Sequence, residues 1–167
     1  FAWITDPIFK PGDVECDLIA RILGGGKSSR LYKRLVYEKR IAQDVHAQQY
    51  SLALGSLFTI EATAKPDVKP ELLEEEIDRE IEDFRRSGPG PAELEGARNT
   101  IESQIIRGLE TLGGFGGVAD RLNQYNHFLA DPGYLTADLE RYRAATIQTL
   151  REVAQSRLAG ESRVVVY

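Results

Sequence analysis

The amino-acid sequence predicts an α+β fold, with an antiparallel or mixed sheet of about four strands covered on one face by a cluster of helices. Segments with the two-residue period of strands cluster in a few places, whereas segments with helical spacing fill most of the remaining chain. Strands and helices do not alternate regularly, which argues against a parallel βαβ arrangement. The chain has 167 residues, 42% of them hydrophobic, so it is long enough to form one core.

The first third of the chain predicts a strand, two helices and a hairpin. Residues 1–5 form a short apolar segment, and residues 14–23 carry helical apolar spacing that stops at three glycines. A second helix is predicted to begin at Ser28 or Ser29, since either serine can cap it. Residues 45–50 and 57–64 form the hairpin, and the alternation in the second strand directs Phe58, Ile60, Ala62 and Ala64 to the core.

From Pro70 onward the chain is predicted to be helical. Leu73, Ile77, Ile81 and Phe84 form one stripe of a long helix, and the acidic run at 74–76 is interpreted as its solvated face. Proline at 91 suits the first turn of the next helix. Further helices are predicted at 118–130 and after two capping threonines, Thr136 and Thr146, before a final strand at 163–167.

The bulk properties exclude several classes of function. A net charge of −5 disfavours a nucleic-acid partner, because phosphate binding depends on Lys and Arg. No uncharged apolar run approaches the roughly 18 residues of a membrane span, so no membrane segment is predicted. The single cysteine, Cys16, lies in an apolar helical pattern and is interpreted as a small buried hydrophobe.

The run Gly24-Gly25-Gly26-Lys27-Ser28-Ser29 invites comparison with a phosphate-binding loop. That motif requires a glycine five positions before Gly26, where this chain has Arg21, and it requires a preceding strand, where this chain predicts a helix. The run is therefore interpreted as a corner between two helices, in which glycine supplies a positive φ.

The sequence predicts neither a catalytic residue nor a metal ligand set. The only two histidines, His46 and His127, are far apart in sequence, and neither belongs to an H-x-x-E-H or H-E-x-x-H motif. No serine stands in a G-x-S-x-G setting. Two isolated histidines of this kind are interpreted as structural or surface residues.

Three stretches of sequence together resemble one family. The first is residues 22–32, which contain Gly26 and the segment Ser28-Ser29-Arg30-Leu31-Tyr32. The second is the hairpin strand at 55–60 with the helix that follows it. The third is Asp131-Pro132-Gly133-Tyr134 with the closing strand. In this order they are similar to the second homologous domain of the pitrilysin, insulinase and mitochondrial processing peptidase family. The resemblance covers nearly the whole chain and implies the half-domain fold of these zinc peptidases.

The resemblance implies a function shared between two halves. In this family two related α+β domains close around an extended peptide, and one half holds zinc through H-x-x-E-H. The present chain lacks that motif and is expected to be inactive alone, with zinc on the partner half and no cofactor of its own. It is expected to help hold the peptide substrate; the alternative is a catalytically dead scaffold or assembly subunit with no protease partner.

The same resemblance suggests which residues contact the peptide. In several relatives a basic and a tyrosyl residue of the hairpin do so; here Tyr50 lies in that hairpin, but no arginine occurs between Arg40 and Arg79. We predict that Tyr50, His46 and Gln48, which share one face of the first hairpin strand, contact substrate. Residues 24–29 are similar to the family's glycine-rich loop, which lies near the substrate chamber in some members.

The sequence also suggests how this domain is related to its parent protein. Residues 1–167 are expected to form a single domain, as a fragment of a longer peptidase chain, because both ends interrupt strand-like segments. The bacterial periplasm and the cytoplasm are both possible locations of the parent protein.

Overall fold

Four strands form one antiparallel sheet in the order β2-β3-β1-β4. The protein is described by a computed structural model over all residues, 1–167. The strands are β1 (Ala2–Thr5), β2 (Ala42–Tyr50), β3 (Ser56–Ala64) and β4 (Arg163–Val164). The α+β class is confirmed, and so is the antiparallel β2–β3 hairpin. The last strand is shorter than predicted, because it pairs only with Ala2 and Trp3 of β1.

Seven helices make up most of the remaining chain. They are α1 (Asp13–Gly24), α2 (Arg30–Tyr32), α3 (Pro70–Ser87), α4 (Pro91–Gly108), α5 (Val118–Leu129), α6 (Leu135–Ala144) and α7 (Ile147–Arg157). A π-helical turn over Lys33–Glu38 continues α2, and a 3₁₀ turn over Gly160–Ser162 precedes β4. Each helix predicted from the spacing of apolar residues is present.

The sheet has one buried and one open face, because side chains alternate along each strand. Trp3 stands opposite Phe58, and both are buried with Val45 and Ile60 in the core. The opposite face presents Ile4, which is 73% exposed, and residues of β2 and β4 to solvent. The predicted cluster of helices therefore covers only one face, and the other is free for contacts.

Two helices carry much of the core. α1 packs against β2, α4 and α7, and nine of its twelve residues are buried. The predicted stripe of α3, from Leu73 to Phe84, is buried at all four positions. Burial of each such side chain contributes about 2 kcal/mol of hydrophobic free energy, so this one stripe fixes α3 against the domain.

The two predicted threonine caps have different outcomes. Thr146 is confirmed as the cap of α7, since its hydroxyl accepts a hydrogen bond from the backbone N–H of Thr149 at 3.1 Å. The prediction for Thr136 is wrong, because α6 begins at Leu135 and is preceded by Tyr134. A turn in which Asp131 accepts from the N–H of Gly133 at 2.9 Å brings the chain into the helix one residue earlier.

Candidate functional site

The three predicted contact residues lie side by side on the open face of the sheet. His46, Gln48 and Tyr50 are all exposed on β2, and 42% of the surface of Tyr50 is accessible. They stand opposite Glu61, Thr59 and Leu57 of β3. Nε2 of His46 lies 2.7 Å from a carboxylate oxygen of Asp44. Tyr50 is thus available to a ligand, and its contact with substrate stays a prediction.

The strand β2 forms an edge of the sheet, since no further strand pairs with its outer side. Phe1 and Ile60 exchange two backbone hydrogen bonds, so the N–H and C=O of Ile60 point toward β1. Because these directions alternate along a strand, Glu61 and Thr59 point toward β2, and their partners His46 and Gln48 point back. The backbone groups of Val45, Ala47 and Gln49 therefore point away from the sheet, where no other strand pairs with them. At Ala47 the end of α1 covers this side, because Gly24 lies against its backbone nitrogen.

A groove of about 370 Å³ runs beside this edge. One wall is the edge itself, and the others are α1 and the middle of α4; its lining consists of Asp17, Ala20, Arg21, Gly25, Ala47, Gln48, Gln49, Ile101 and Gln104. Most of these side chains are polar or small. The groove therefore offers room and hydrogen-bonding groups next to the edge of β2.

Asp17 is a partly buried carboxylate in this groove. Its Oδ2 accepts a hydrogen bond from the hydroxyl of Tyr142 at 2.7 Å. Burial raises the pKa of Asp17 to about 7, and the nearby Asp13 and Asp138 add to the rise, while the bond from Tyr142 opposes it. This pKa makes Asp17 sensitive to pH in the neutral range.

The glycines of the loop have three different roles, and the prediction of positive φ holds for one of them. Gly26 has a φ of 136°. Gly25, with a φ of −80°, caps α1 by donating its N–H to the carbonyl of Arg21. Gly24 is required for space, because a Cβ there would lie 2.6 Å from Cβ of Ala47 and would overlap its backbone nitrogen. The corner between helices is confirmed, and Gly24 lets α1 touch β2.

The other half of the loop leads into α2. Lys27 and Ser28 are exposed, whereas Ser29 is only 6% exposed. Ser29 occupies the cap position predicted for it, but its hydroxyl makes no capping hydrogen bond and has no partner at all. The residue is thus at the expected place without the expected interaction.

An ion-pair network behind the loop was not anticipated. Arg30 donates to both carboxylate oxygens of Glu93 at 2.7 and 2.6 Å, and its guanidinium lies over the ring of Phe84. These hydrogen bonds raise the pKa of Arg30 and lower that of Glu93. The network ties the start of α2 to α3 and α4 and so holds the glycine-rich loop in place.

Glu76 corrects the interpretation of the acidic run as a solvated face. It is only 3% exposed and accepts a hydrogen bond from Arg34 at 2.9 Å. Burial opposes its ionisation, but the hydrogen bonds from Arg34 and Lys39 outweigh burial and lower the pKa of Glu76. The sequence spacing could have predicted this pairing. Arg30 and Arg34 are four residues apart and so lie on the same face of their helical segment, and the same is true of Glu76 and Glu80 on α3.

The side chains form no metal site. No group of three or more His, Cys, Asp and Glu residues comes together anywhere in the chain. His46 lies on the open face of the sheet, and His127 packs its ring against Phe128 on α5. Cys16 is fully buried, as predicted, and burial raises the pKa of its thiol. These residues do not fit a catalytic zinc ion, which needs three protein ligands.

Comparison with known proteins now gives the family. Residues 1–101 match the family described as the peptidase M16 inactive domain. A zinc protease PqqE of Helicobacter pylori is 35% identical over 120 residues, which are 71% of this chain. The chain belongs to the M16 peptidase family, as an inactive domain. The resemblance inferred from the sequence is confirmed.

Solved structures agree with this assignment of the M16 domain. A protease from H. pylori has 25% identity and a TM-score of 0.84, over 96% of this chain and 38% of that one. An inactive peptidase domain from Bordetella parapertussis has 22% identity and a TM-score of 0.77, over 98% of this chain and 87% of that one, and shows the fold alone. The chain spans only 27% of the length of PqqE.

The M16 domain has no helix that is long and apolar enough to cross a bilayer.

Proposed function

We propose that the chain is the substrate-cradling, non-catalytic domain of a zinc metalloendopeptidase that cleaves peptides in a chamber between two halves. A homologous zinc-bearing domain or subunit would supply the H-x-x-E-H motif and the metal. The observation that carries the proposal is the free edge of β2 with the groove beside it. An extended peptide binds such an edge through main-chain hydrogen bonds, so its sequence matters little.

The geometry of β2 assigns separate roles to its two sets of residues. The outward backbone groups of Val45 and Gln49, on either side of the contact between Gly24 and Ala47, would pair with the peptide backbone, as in strand addition. His46 and Gln48 would line the wall on the open face, and Tyr50 would cover a peptide side chain with its ring. A tyrosine suits this role because it combines a large apolar surface with a hydroxyl group.

A two-half assay tests the proposal. Tyr50→Ala in the parent protease, or in the domain mixed with its zinc-bearing half, is expected to lower peptide kcat/KM about tenfold, the loss of one aromatic contact. Tyr37→Ala is the matched control, since Tyr37 is also exposed but lies on the π-helical turn. Unchanged turnover for Tyr50→Ala, or an equal loss for Tyr37→Ala, would contradict the contact.

A direct readout tests strand addition. In a ¹⁵N-labelled domain, an extended peptide should shift the backbone amides of Val45 and Gln49 more than those of His46 and Gln48, which already bond to β3. Shifts confined to residues away from β2 would overturn this binding mode.

The second candidate function is a peptidase-derived scaffold without a protease partner. A chain of the complex III dimer from Candida albicans has a TM-score of 0.72 with 16% identity, a likeness of fold. A parent protein that binds no zinc and cleaves no peptide would favour the scaffold. Peptidase activity that depends on zinc in the other half would favour the first proposal.

A further inference from the structure

A second cavity, of about 360 Å³, continues the groove beside β2. The two cavities share Arg21 and Gly25, so they adjoin one another between the edge of β2 and the corner between α1 and α2. The far wall is the first half of α4. We call this second cavity the corner cavity.

Two basic side chains that form no ion pair line the corner cavity. Arg21 and Lys33 line it, and neither forms an ion pair. The one acidic residue in the lining, Glu93, is bound at both oxygens by Arg30 and also accepts from the N–H of Gly90 at 2.7 Å. Both oxygens of Glu93 are therefore engaged, and Lys33 is one of the nearby positive charges that lower its pKa. Arg21 and Lys33 make no ion pair, so both side chains can bind an anion.

A buried hydroxyl without a partner lies in the same wall. Ser29 lines the corner cavity, is 6% exposed, and its Oγ neither donates nor accepts a hydrogen bond. Such groups are rare in native proteins, because an unmade hydrogen bond in the interior costs free energy. An acceptor bound in the cavity would offer this hydroxyl the partner that it lacks. Ser28, which is exposed, lines the cavity beside it.

The opposite wall is kept open by a glycine in mid-helix. Gly96 lies within α4, and a Cβ at this position would meet no atom within 4 Å, so packing does not require glycine here. Glycine weakens a helix relative to alanine. The lack of a side chain at Gly96 adds to the open space on this side of the corner cavity.

We propose that the corner cavity binds a small oxyanion through Arg21, Lys33 and the hydroxyls of Ser28 and Ser29. A carboxylate of a bound peptide and free inorganic phosphate offer the same chemistry. The peptide source rests on the proposed function, because the adjoining groove would bring the end or an acidic side chain of a peptide on the β2 edge to this cavity. The earlier exclusion of a nucleotide loop stands, since Lys27 does not line the cavity.

The test is a titration of the ¹⁵N-labelled 167-residue chain at constant ionic strength. The probes are N-acetylglycine, neutral N-acetylglycinamide and sodium phosphate, and the readout is the amide shifts of Arg21, Ser28, Ser29 and Lys33. Saturable shifts with N-acetylglycine but not with the amide are expected. Saturation by phosphate alone would support the oxyanion site and overturn the peptide source. No saturable shift with either anion would overturn the site.

Variants separate this site from general charge effects. Lys33→Gln and Arg21→Gln are each expected to weaken anion binding about tenfold, the loss of one charge-assisted hydrogen bond. Lys27→Gln is the matched control, since Lys27 carries the same charge in the same loop but does not line the cavity. An equal loss for Lys27→Gln would overturn the assignment, and so would an unchanged affinity for Lys33→Gln.

A comparison of two peptides tests the corner cavity and the edge of β2 separately. An acidic peptide and its amidated, neutral form are compared by the shifts of Gln49 on β2 and of Lys33. If both forms shift Gln49 equally and neither shifts Lys33, the edge binds peptide and the corner cavity does not. If N-acetylglycine binds while no peptide shifts Gln49, the anion site stands and the cradling function fails.

Discussion

Substitution of Gly24 by alanine tests the close approach of α1 to β2. The added methyl would lie 2.6 Å from Cβ of Ala47 and 2.8 Å from the carbonyl carbon of His46. An ordinary contact between carbon atoms needs about 3.5 Å, so α1 must retreat from β2 by close to 1 Å. Because α1 is central to the core, this shift disturbs many packed side chains at once.

The expected cost is about 3 kcal/mol, at the upper end of what overpacking usually costs. With a urea m-value of about 2 kcal/mol/M for a domain of this size, the midpoint should fall by about 1.5 M. The chain has one tryptophan, Trp3, which is buried and donates its Nε1–H to the carbonyl of Ala159 at 2.9 Å. Its fluorescence therefore reports unfolding of the core.

Gly96→Ala is the matched control for Gly24→Ala. Its methyl enters open space on α4, so the variant is expected to gain about 0.5–1 kcal/mol from better helix propensity. A Gly24→Ala protein within about 0.5 kcal/mol of the wild type would refute the argument, because surface substitutions fall in that range. It would mean that α1 has room to move without loss of packing.

Three further predictions concern charge and metal. Arg30→Ala is expected to cost about 3 kcal/mol in urea unfolding, since it leaves Glu93 without its ion-pair partner and removes the guanidinium from the ring of Phe84. Arg30→Lys should restore less than half of this loss because lysine cannot bind both oxygens of Glu93 in the same way; full restoration by lysine would show that charge alone matters. The pKa of Asp17 is raised in the folded state. Between about pH 4 and 7 the folded state therefore binds more protons than the unfolded state, so the folded state loses stability as the pH rises through that range. Asp17→Asn should therefore gain about 2 kcal/mol over the wild type at pH 8 and little at pH 4, and a gain independent of pH would contradict this cause. Finally, we predict that the dialysed chain holds no stoichiometric zinc; about one zinc per chain by elemental analysis, lost in His46→Ala or His127→Ala, would show the opposite.

Patterns of apolar residues predicted the parts of the fold that burial decides. The stripe of α3 and the alternation of β3 report directly which side faces the core, so both were correct. The same patterns carry no information on partners distant in sequence. Glu76 looked like a solvated residue because its burial depends on Arg34, which is 42 positions away.

Only some of the residues predicted from the sequence adjoin the two cavities. Gln48 lines the groove, and Gly25, Ser28 and Ser29 line the corner cavity, whereas Tyr50 and His46 line neither, and their contact with substrate stays a prediction. The role of Gly24 was hidden, because a close approach to Ala47 depends on how α1 crosses the sheet. The cap at Thr136 failed for a local reason, since two neighbouring positions compete to begin a helix and the preceding turn decides between them.

The position of β4 has a mechanical consequence. It joins the sheet by two residue pairs only, and Val164 stands opposite Ala2, so tension between the start of β1 and the end of β4 loads one end of their ladder. The backbone hydrogen bonds between β1 and β4 then break one after another, instead of all being loaded at once in shear. After these pairs the next resistance is the ion pairing of Arg163 with Asp78 and Glu74 on α3. Under load the last strand would detach at low force while the helices around α1 keep their packing.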